Sequence, residues 1–416
     1  MPANTTLGDM LTTIFDRRPF SRKVEDPRPL VGLCHALLAE TAEVSGLHLA
    51  TAILQKYKEL DNEQKIGFFT FLNDEMDLDP GRVAALATAY SGEHSAKNFA
   101  ALSKAAESGR RELLRRLNQA PGATADLVRM RKDLLSFLKI APELARTDHD
   151  FIHLLRSWFN RGFLVLRQVT WDSPAAILEK IIAYEAVHEI HTWADLRRRL
   201  HPMDRRCFAF FHPAMPEEPL IFVEVALTKG VPDSIQNVLS DNRGELGEDE
   251  VDTAVFYSIS NCQDGLAGIS FGNSLIKQVA HDLSHELLGV KTYVTLSPIP
   301  GLLKWAAAQG LDGVALGQEP LTRLAAHYLL NAKTESGKPL DPVARFHLGN
   351  GAQIHAVHGG ADVSKNGIAQ SGGVMVNYLY DLTRISKNLK LFAEKDEIAA
   401  SSAIKTLARQ AVLAAK

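Results

Sequence analysis

The chain has 416 residues, of which 46% are hydrophobic and 23% charged, and its formal net charge is −3. This ordinary globular composition excludes bulk disorder, supplies no net basic charge for binding nucleic acid, and suits two or three domains. The three cysteines, Cys34, Cys207 and Cys262, form no CxxC pair. That argues against a disulfide framework and a cysteine-based zinc site, and fits a reducing compartment.

Met1–Pro2–Ala3–Asn4 does not lead into the basic and then apolar stretch of a secretory signal, and Asp9 and Asp16 weigh against a mitochondrial leader despite Arg17, Arg18, Arg22 and Lys23. No apolar run approaches the ~20 residues of a membrane helix. Ala414–Ala415–Lys416 is not a peroxisomal signal. The expectation is a cytoplasmic protein with no membrane or nucleic-acid partner.

Residues 29–57 carry Leu30, Leu33, Leu37, Leu38, Leu47, Leu49, Ile53 and Leu54 at helical spacing, and residues 124–140 repeat the pattern with Leu127, Leu134 and Leu138. Arg110–Leu117 reads as a helix with a solvated basic face, with an anion-binding patch as the competing reading. Pro121–Gly122 separates two helices. The pattern predicts an all-helical domain over residues 1–158.

The periodicity changes near Trp158. Gly162–Leu166 reads as a first strand, followed by strands at Arg206–Phe211, Leu220–Leu227 and Thr253–Ser260, all rich in aromatic and β-branched residues. Pro213, Pro216 and Pro219 crowd the connection between the second and third and predict a hairpin-like turn. Residues 159–416 form the second predicted domain.

Within it, residues 253–297 read as strand, glycine-bearing loop, helix and strand. The loop is Asp264–Gly272. The helix runs from Asn273 to Leu288 with Leu275, Ile276, Val279, Leu283 and Leu287 on one stripe, and Gly289 would end it in the left-handed conformation. Such a loop can cradle a phosphate, because glycines admit close backbone approach and N–H groups at the helix start face the anion. The same glycines also fit a simple tight turn. The loop resembles a degenerate form of the pyrophosphate loop of acyl-CoA-dependent N-acetyltransferases: Ala267 stands in place of Gln or Arg, Ser270 in place of the first Gly, and Gly272 keeps the last position. Gly268, Ile269, Ser270, Phe271, Gly272, Asn273 and Lys277 are the expected CoA-binding residues.

Ser297 follows at the end of the second strand, where ligands gather in open α/β sheets. Pro298 biases it toward an extended conformation, which holds the hydroxyl in one geometry. It equally fits a cap for a helix starting near Leu302, and on local sequence the cap is the simpler reading. His347 is one of fifteen histidines, singled out by an apolar approach and the Gly349–Asn350–Gly351 loop after it. His355 and His358, with Asp362, lack a metal-ligand set, so no metal is expected. Tyr378 joins the site residues, although a core tyrosine fits it as well.

Several segments stand in order: Gly162–Phe163–Leu164 through Val169–Thr170–Trp171–Asp172–Ser173–Pro174, Glu185–Ala186–Val187–His188, Phe256–Tyr257–Ser258–Ile259–Ser260, Leu296–Ser297–Pro298–Ile299–Pro300–Gly301, Asn331–Ala332 to Asp341 and on through Phe346–His347–Leu348 to Ala352, and Met375–Val376–Asn377–Tyr378. Together, over residues 155–385, they resemble the malonyl-CoA decarboxylase family. The resemblance implies a two-domain α+β protein: an all-helical N-terminal domain making homo-oligomer contacts and an acyl-CoA N-acetyltransferase-like mixed-sheet catalytic domain. It implies conversion of malonyl-CoA to acetyl-CoA and CO2, bearing on fatty-acid metabolism, without a cofactor. Ser297 and His347 would be the catalytic pair, with Ser258 associated. Ser270 departs from relatives that carry Glu there. A CoA-dependent acyltransferase and a non-catalytic CoA-binding scaffold are the competing functions.

Overall fold

The computed structural model describes residues 26–240, 242–269, 275–313 and 315–411. Expected CoA-binding residues Ser270, Phe271, Gly272 and Asn273 lie outside the described residues. The chain forms two compact units: Met1–Val165 with Phe211–Glu218 and Gln263–Ser270, and Leu166–Phe210 with Pro219–Cys262 and Phe271–Lys416. Helices come first and a mixed sheet second, as the sequence pattern leads one to expect. No helix among the described residues is long and apolar enough to cross a membrane.

The first unit carries α1 (Leu30–Ala39), α2 (Glu43–Lys58), α3 (Asn62–Asp74), α4 (Pro80–Gly92), α5 (Ala96–Ala105), α6 (Gly109–Leu117), α7 (Ala123–Phe137) and α8 (Ala145–Trp158). Asp61 and Gln64 close α3 with a reciprocal capping box, and Asp79, Ser95 and Ser108 cap α4, α5 and α6. The leucine stripes are buried as their spacing requires, with Leu33, Leu37, Ile53, Leu127 and Leu134 at 0–2% exposure.

The basic face of α6 is not the solvated surface expected from its charge run. Arg110 is buried and donates to Asp150 at 2.6 Å, Arg111 donates to the same carboxylate at 2.5 Å, and Arg116 donates to the Leu37 and Glu40 carbonyls. Arg115 pairs locally with Glu107 and Glu112, so each arginine of the run has a carboxylate or carbonyl partner.

Arg131 on α7 does similar work. Its guanidinium donates to Asp148 at 2.8 Å and to the Gly265 and Ala267 carbonyls at 2.7 and 2.8 Å. A Cβ on Gly265 would stand 1.9 Å from the Val128 carbonyl oxygen, so this glycine exists for close approach to α7. Gly268 instead has φ +76, the left-handed conformation that favours glycine.

In the second unit the strands are β1 (Val165–Val169, entered from the first unit), β2 (Arg205–Phe211), β3 (Ile221–Thr228), β4 (Thr253–Asn261), β5 (Thr292–Thr295), β6 (Ser297–Pro298), β7 (Gln353–His358) and β8 (Met375–Leu379). The order is β1-β2-β3-β4-β5-β8-β6, with β7 also on β8. β1 starts later than Gly162, because the Asn160 side chain accepts from Gly162 N–H and closes a short 3-10 turn over Arg161–Phe163. The predicted hairpin is present: β2 and β3 pair antiparallel, with Phe210 opposite Ile221. The helices of this unit are α9 (Ala175–Tyr184), α10 (Trp193–Leu200), α11 (Ile235–Leu239), α12 (Leu275–Glu286), α13 (Leu302–Ala308), α14 (Gln318–Asn331), α15 (Pro342–Leu348), α16 (Lys365–Ser371), α17 (Ile385–Lys395) and α18 (Ser402–Arg409). Gly289 after α12 is not left-handed. A Cβ there would meet the Val251 carbonyl oxygen at 3.1 Å, so its small size is what the position uses.

Two features of the sheet prepare the site. First, β4 and β5 are parallel and pair only over Thr253–Phe256 and Thr292–Thr295; β4 then runs on to Asn261 while the other chain turns into β6 and pairs with β8. Second, Glu224 lies opposite Ser258 but Val225 opposite Phe256, so Tyr257 is the extra residue of a bulge. Neighbours Glu224 and Val225 face opposite ways, so the bulge turns Ser258 to the face opposite Phe256 and its parallel partner Thr295.

Replacing Arg131 with Met would leave Asp148 and two carbonyls without their donor. The expected loss is about 3 kcal/mol of first-unit stability, read from urea unfolding, as for other broken buried pairs; an unchanged midpoint would contradict the anchoring role.

Candidate active site

Ser297 lies on β6, with Val376 of β8 opposite it, and is 5% exposed. It does not cap a helix. α13 begins after Gly301, which provides no side-chain cap, and the Ser297 hydroxyl is used elsewhere. It donates to Thr295 Oγ1 at 2.8 Å and lies 3.3 Å from His347 Nε2. His347 stands in the last turn of α15, a helix begun by an Asp341 cap and Pro342 in its first turn. Its other ring nitrogen, Nδ1, lies 2.8 Å from the hydroxyl of Tyr380, just past the end of β8. Thr295 Oγ1 also accepts from the Tyr378 backbone N–H at 3.1 Å, which ties β5 to β8 beneath the serine.

Burial decides the protonation states. The His347 imidazole is 2% exposed, and desolvation holds its pKa down at about 3, so it is neutral at physiological pH. Desolvation pushes the Tyr380 phenol well above its ordinary value, so it keeps its proton. The Ser297 O–H donates to Thr295, so it cannot also donate to the imidazole; Nε2–H then donates to Ser297 Oγ, and Tyr380 O–H donates to Nδ1. The opposite tautomer would need the Ser297 proton on Nε2 and so would break its bond to Thr295. The hydrogen bonds therefore run in one direction, from Tyr380 toward Ser297.

Of the expected site residues, the fold brings together Ser297, His347 and Tyr378. The Tyr378 ring stacks on the imidazole at 4.5 Å and 22°, while its buried hydroxyl has no hydrogen-bond partner among the described residues. Ser258 bonds to a different group. Its hydroxyl lies 2.8 and 2.7 Å from the two oxygens of Glu185, a buried carboxylate that also accepts from the Val187 and His188 N–H groups. The single Ser258 proton is thus committed to Glu185. Gly268 and Ile269 fall in the first unit, and Lys277 is half-buried on α12 in the second. His358 pairs with Asn377 Oδ1. Among the described residues no group of three or more His, Cys, Asp or Glu could hold a metal ion. A cavity of about 230 Å3 in the second unit, lined by Arg198, Arg199, Arg205, Arg243, Glu189 and Glu245 among others, includes none of these site residues.

Sequence reading missed Tyr380, Thr295 and Glu185. The alternation of β8 carried a signal for the first, since Tyr378 and Tyr380 are two residues apart. For Thr295, its place two residues before Ser297 on a strand is the corresponding signal.

The malonyl-CoA decarboxylase C-terminal domain model matches residues 162–318 and 311–416, and the N-terminal domain model of the same family matches residues 77–159. The chain belongs to the malonyl-CoA decarboxylase family. Mitochondrial malonyl-CoA decarboxylase of Anser anser anser is 35% identical over 351 residues, 72% of this chain and 69% of that protein. The Rattus norvegicus protein is 34% identical over 351 residues, 72% of this chain and 71% of its own. The crystal structure of malonyl-CoA decarboxylase from Rhodopseudomonas palustris superposes with a TM-score of 0.85 at 46% identity, covering 91% of this chain and 98% of that one. That from Agrobacterium vitis gives 0.86 at 45%, covering 91% and 99%. Membership of this family makes the chain a carboxy-lyase-type enzyme, and places the Ser297, His347 and Tyr380 arrangement within a decarboxylase family.

The two tyrosines separate cleanly in a mutational test. Tyr380→Phe removes the donor to Nδ1 and is expected to lower kcat by ~10²-fold, in the range of a lost proton-transfer group. Tyr378→Phe removes an unpartnered hydroxyl and is expected to leave kcat within about twofold. Steady-state kinetics on the two variants with malonyl-CoA checks this, and the reverse ranking would contradict it.

Proposed function

We propose that this chain decarboxylates malonyl-CoA to acetyl-CoA and CO2, and that Ser297, His347 and Tyr380 stabilise the enolate and steer the proton. The observation that carries this reading is the directed hydrogen-bond chain ending on Ser297, in a member of the malonyl-CoA decarboxylase family.

In the reaction the bond between the malonyl carboxylate carbon and the α-carbon breaks. Its electron pair moves toward the thioester carbonyl and forms an enolate; CO2 leaves, and the α-carbon takes up one proton. The thioester is itself the electron sink, so the reading needs no cofactor. What it needs from the protein is a donor aimed at the developing oxyanion and a source for one proton.

Ser297 supplies the donor. On substrate entry its hydroxyl turns from Thr295 to the thioester oxygen, where one well-placed hydrogen bond is worth on the order of 3 kcal/mol in the transition state. His347 passes a proton through the serine toward the α-carbon and draws another from Tyr380, so the imidazole changes nitrogen without becoming charged. The phenolate left behind is strongly basic in its dry setting; once products leave, a solvent proton enters at Ser297 and the relay runs back through the imidazole, returning the Nδ1 proton to the phenolate and restoring Nε2–H. Because Nε2 carries a proton in this arrangement, it cannot take one from Ser297, and the serine is not armed for nucleophilic attack. No acyl-serine is formed.

Substrate is read to approach along the split between β4 and β5, beyond the point where the parallel strands part. The CoA pyrophosphate is assigned to the backbone at Gly268 and Ile269, and the left-handed φ of Gly268 supports a backbone turned for anion contact. Helices α4 and α5 bury none of their residues within the single chain, which supports homo-oligomer contacts through them. The product would feed or limit fatty-acid metabolism.

Purified protein given malonyl-CoA and no acyl acceptor is expected to release CO2 and acetyl-CoA in equal amounts, and Ser297→Ala is expected to lower kcat by ~10²–10³-fold. Unchanged turnover in that variant, a requirement for an amine acceptor, or an acyl adduct on Ser297 seen by mass spectrometry would each contradict the reading.

A further inference from the structure

The ladder between β4 and β5 ends at Phe256 opposite Thr295. Just beyond it, the Phe256 carbonyl accepts from Leu296 N–H at 3.1 Å, one residue before Ser297. The Phe256 ring also meets the Tyr380 ring edge-on, with centroids 6.4 Å apart. Both ends of the Tyr380–His347–Ser297 chain therefore lean on this one step of β4. We infer that Glu185 is a positioning residue that fixes that step from outside the sheet; the inference rests on the function proposed above.

The step needs such a hold. Tyr257, the next residue, is the extra residue of the bulge, so the ladder to β3 is broken just where the ladder to β5 ends. Phe256 thus stands between the end of one ladder and a break in the other. Pairing with β3 resumes at Ser258, opposite Glu224. Glu185, in the connection between α9 and α10, takes hold of β4 at that point. The Ser258 hydroxyl lies 2.8 and 2.7 Å from its two oxygens, and Ser260 Oγ, on the same face of the strand, donates to Oε2 at 3.3 Å. Ala186 N–H in turn donates to Ser260 Oγ at 3.2 Å.

The carboxylate is itself held. Its Oε1 accepts from the Val187 and His188 N–H groups, both at 2.8 Å. Arg199 on α10 donates to the His188 carbonyl at 2.7 Å and to Glu224 at 2.9 Å, the residue opposite Ser258. The connection is therefore tied to β3 at the same step where Glu185 ties it to β4, and the bulge is gripped from both strands. Two N–H groups and two hydroxyls converge on Glu185, which matches the acceptor capacity of one carboxylate. Glutamine can keep the whole pattern, because its oxygen can take the two N–H groups while its NH2 donates to the two serine oxygens. Alanine keeps none of it.

The test is steady-state kinetics with malonyl-CoA, and thermal unfolding, on full-length wild type, Glu185→Ala, Glu185→Gln, Ser258→Ala and Ser297→Ala. Glu185→Ala is expected to remain folded at the assay temperature and to lower kcat by about 10–100-fold, as small misplacements of reacting groups do, with KM within about threefold. Glu185→Gln is expected to restore kcat to within about threefold of wild type. Ser258→Ala, which releases β4 but leaves Glu185 its two N–H groups, is expected to show the same split between kcat and KM and serves if Glu185→Ala fails to fold. Combining Ser258→Ala with Glu185→Ala is expected to cost no more than the larger single loss, because both act through one contact. Wild-type kcat in folded Glu185→Ala or in Ser258→Ala, or a Glu185→Gln as slow as Glu185→Ala, would overturn the positioning role while the Ser297→Ala loss stands. Wild-type kcat in Ser297→Ala would overturn the functional reading itself, and this inference with it.

Discussion

The interior around His347 does not tolerate a charged imidazole. Aromatic rings cover it, a phenol and a serine hydroxyl meet its two nitrogens, and no carboxylate bonds to it among the described residues. In a Ser-His-Asp arrangement the acid fixes the tautomer that accepts the serine proton and then stabilises the imidazolium. Here a neutral phenol occupies that position and fixes the opposite tautomer. On the proposed reading, decarboxylation calls for a proton to be delivered to carbon, so a pair that cannot deprotonate its serine is not a defective hydrolase dyad. It matches a reaction in which charge appears on the substrate and must be met by donors.

The sheet supplies the rigidity that such a chain of donors needs. Thr295 and Asn377 are both fully buried, and the Asn377 amide donates to the Thr295 carbonyl at 2.8 Å. With the Tyr378 N–H on Thr295 Oγ1, β8 holds the end of β5 by side chain and backbone together. Ser297 and Tyr380 are then placed by the same pair of strands, and α15 brings His347 between them. A site built on strands and a capped helix keeps its geometry better than one carried on loops.

Much of this was legible in the sequence. The apolar stripes of the helical part, the β-branched runs of the central strands, and the strand-loop-helix-strand unit around residues 253–297 are local patterns, and the fold follows them. The Ser297 and His347 motifs were visible too, but their contact depends on a 50-residue separation that no periodicity encodes. Where the reading went astray, tertiary structure had overridden a local rule. Ser297 before a proline looked like a helix cap, yet pairing with β8 keeps it in a strand. The bulge at Tyr257 sends Ser258 to the face opposite Phe256, and simple alternation along β4 cannot foresee that. Arg110 and Arg111 of α6 looked like wet surface, but Asp150, forty residues away from Arg110, pairs with both. Tyr378 and Tyr380 are equivalent by spacing; only the position of the ring beside each shows that one stacks and the other donates.

The central claim is the proton pattern on a single imidazole, and nitrogen NMR reads it directly. In protein labelled with 15N at histidine, with a His347→Gln sample to assign the resonances, His347 is expected to show a protonated Nε2 and a bare Nδ1. Since burial holds its pKa at about 3, below the ordinary value of 6.5, the neutral form should persist unchanged as pH falls through the range in which exposed histidines titrate. A bare Nε2 beside a protonated Nδ1, or an imidazolium appearing near neutral pH, would contradict the account.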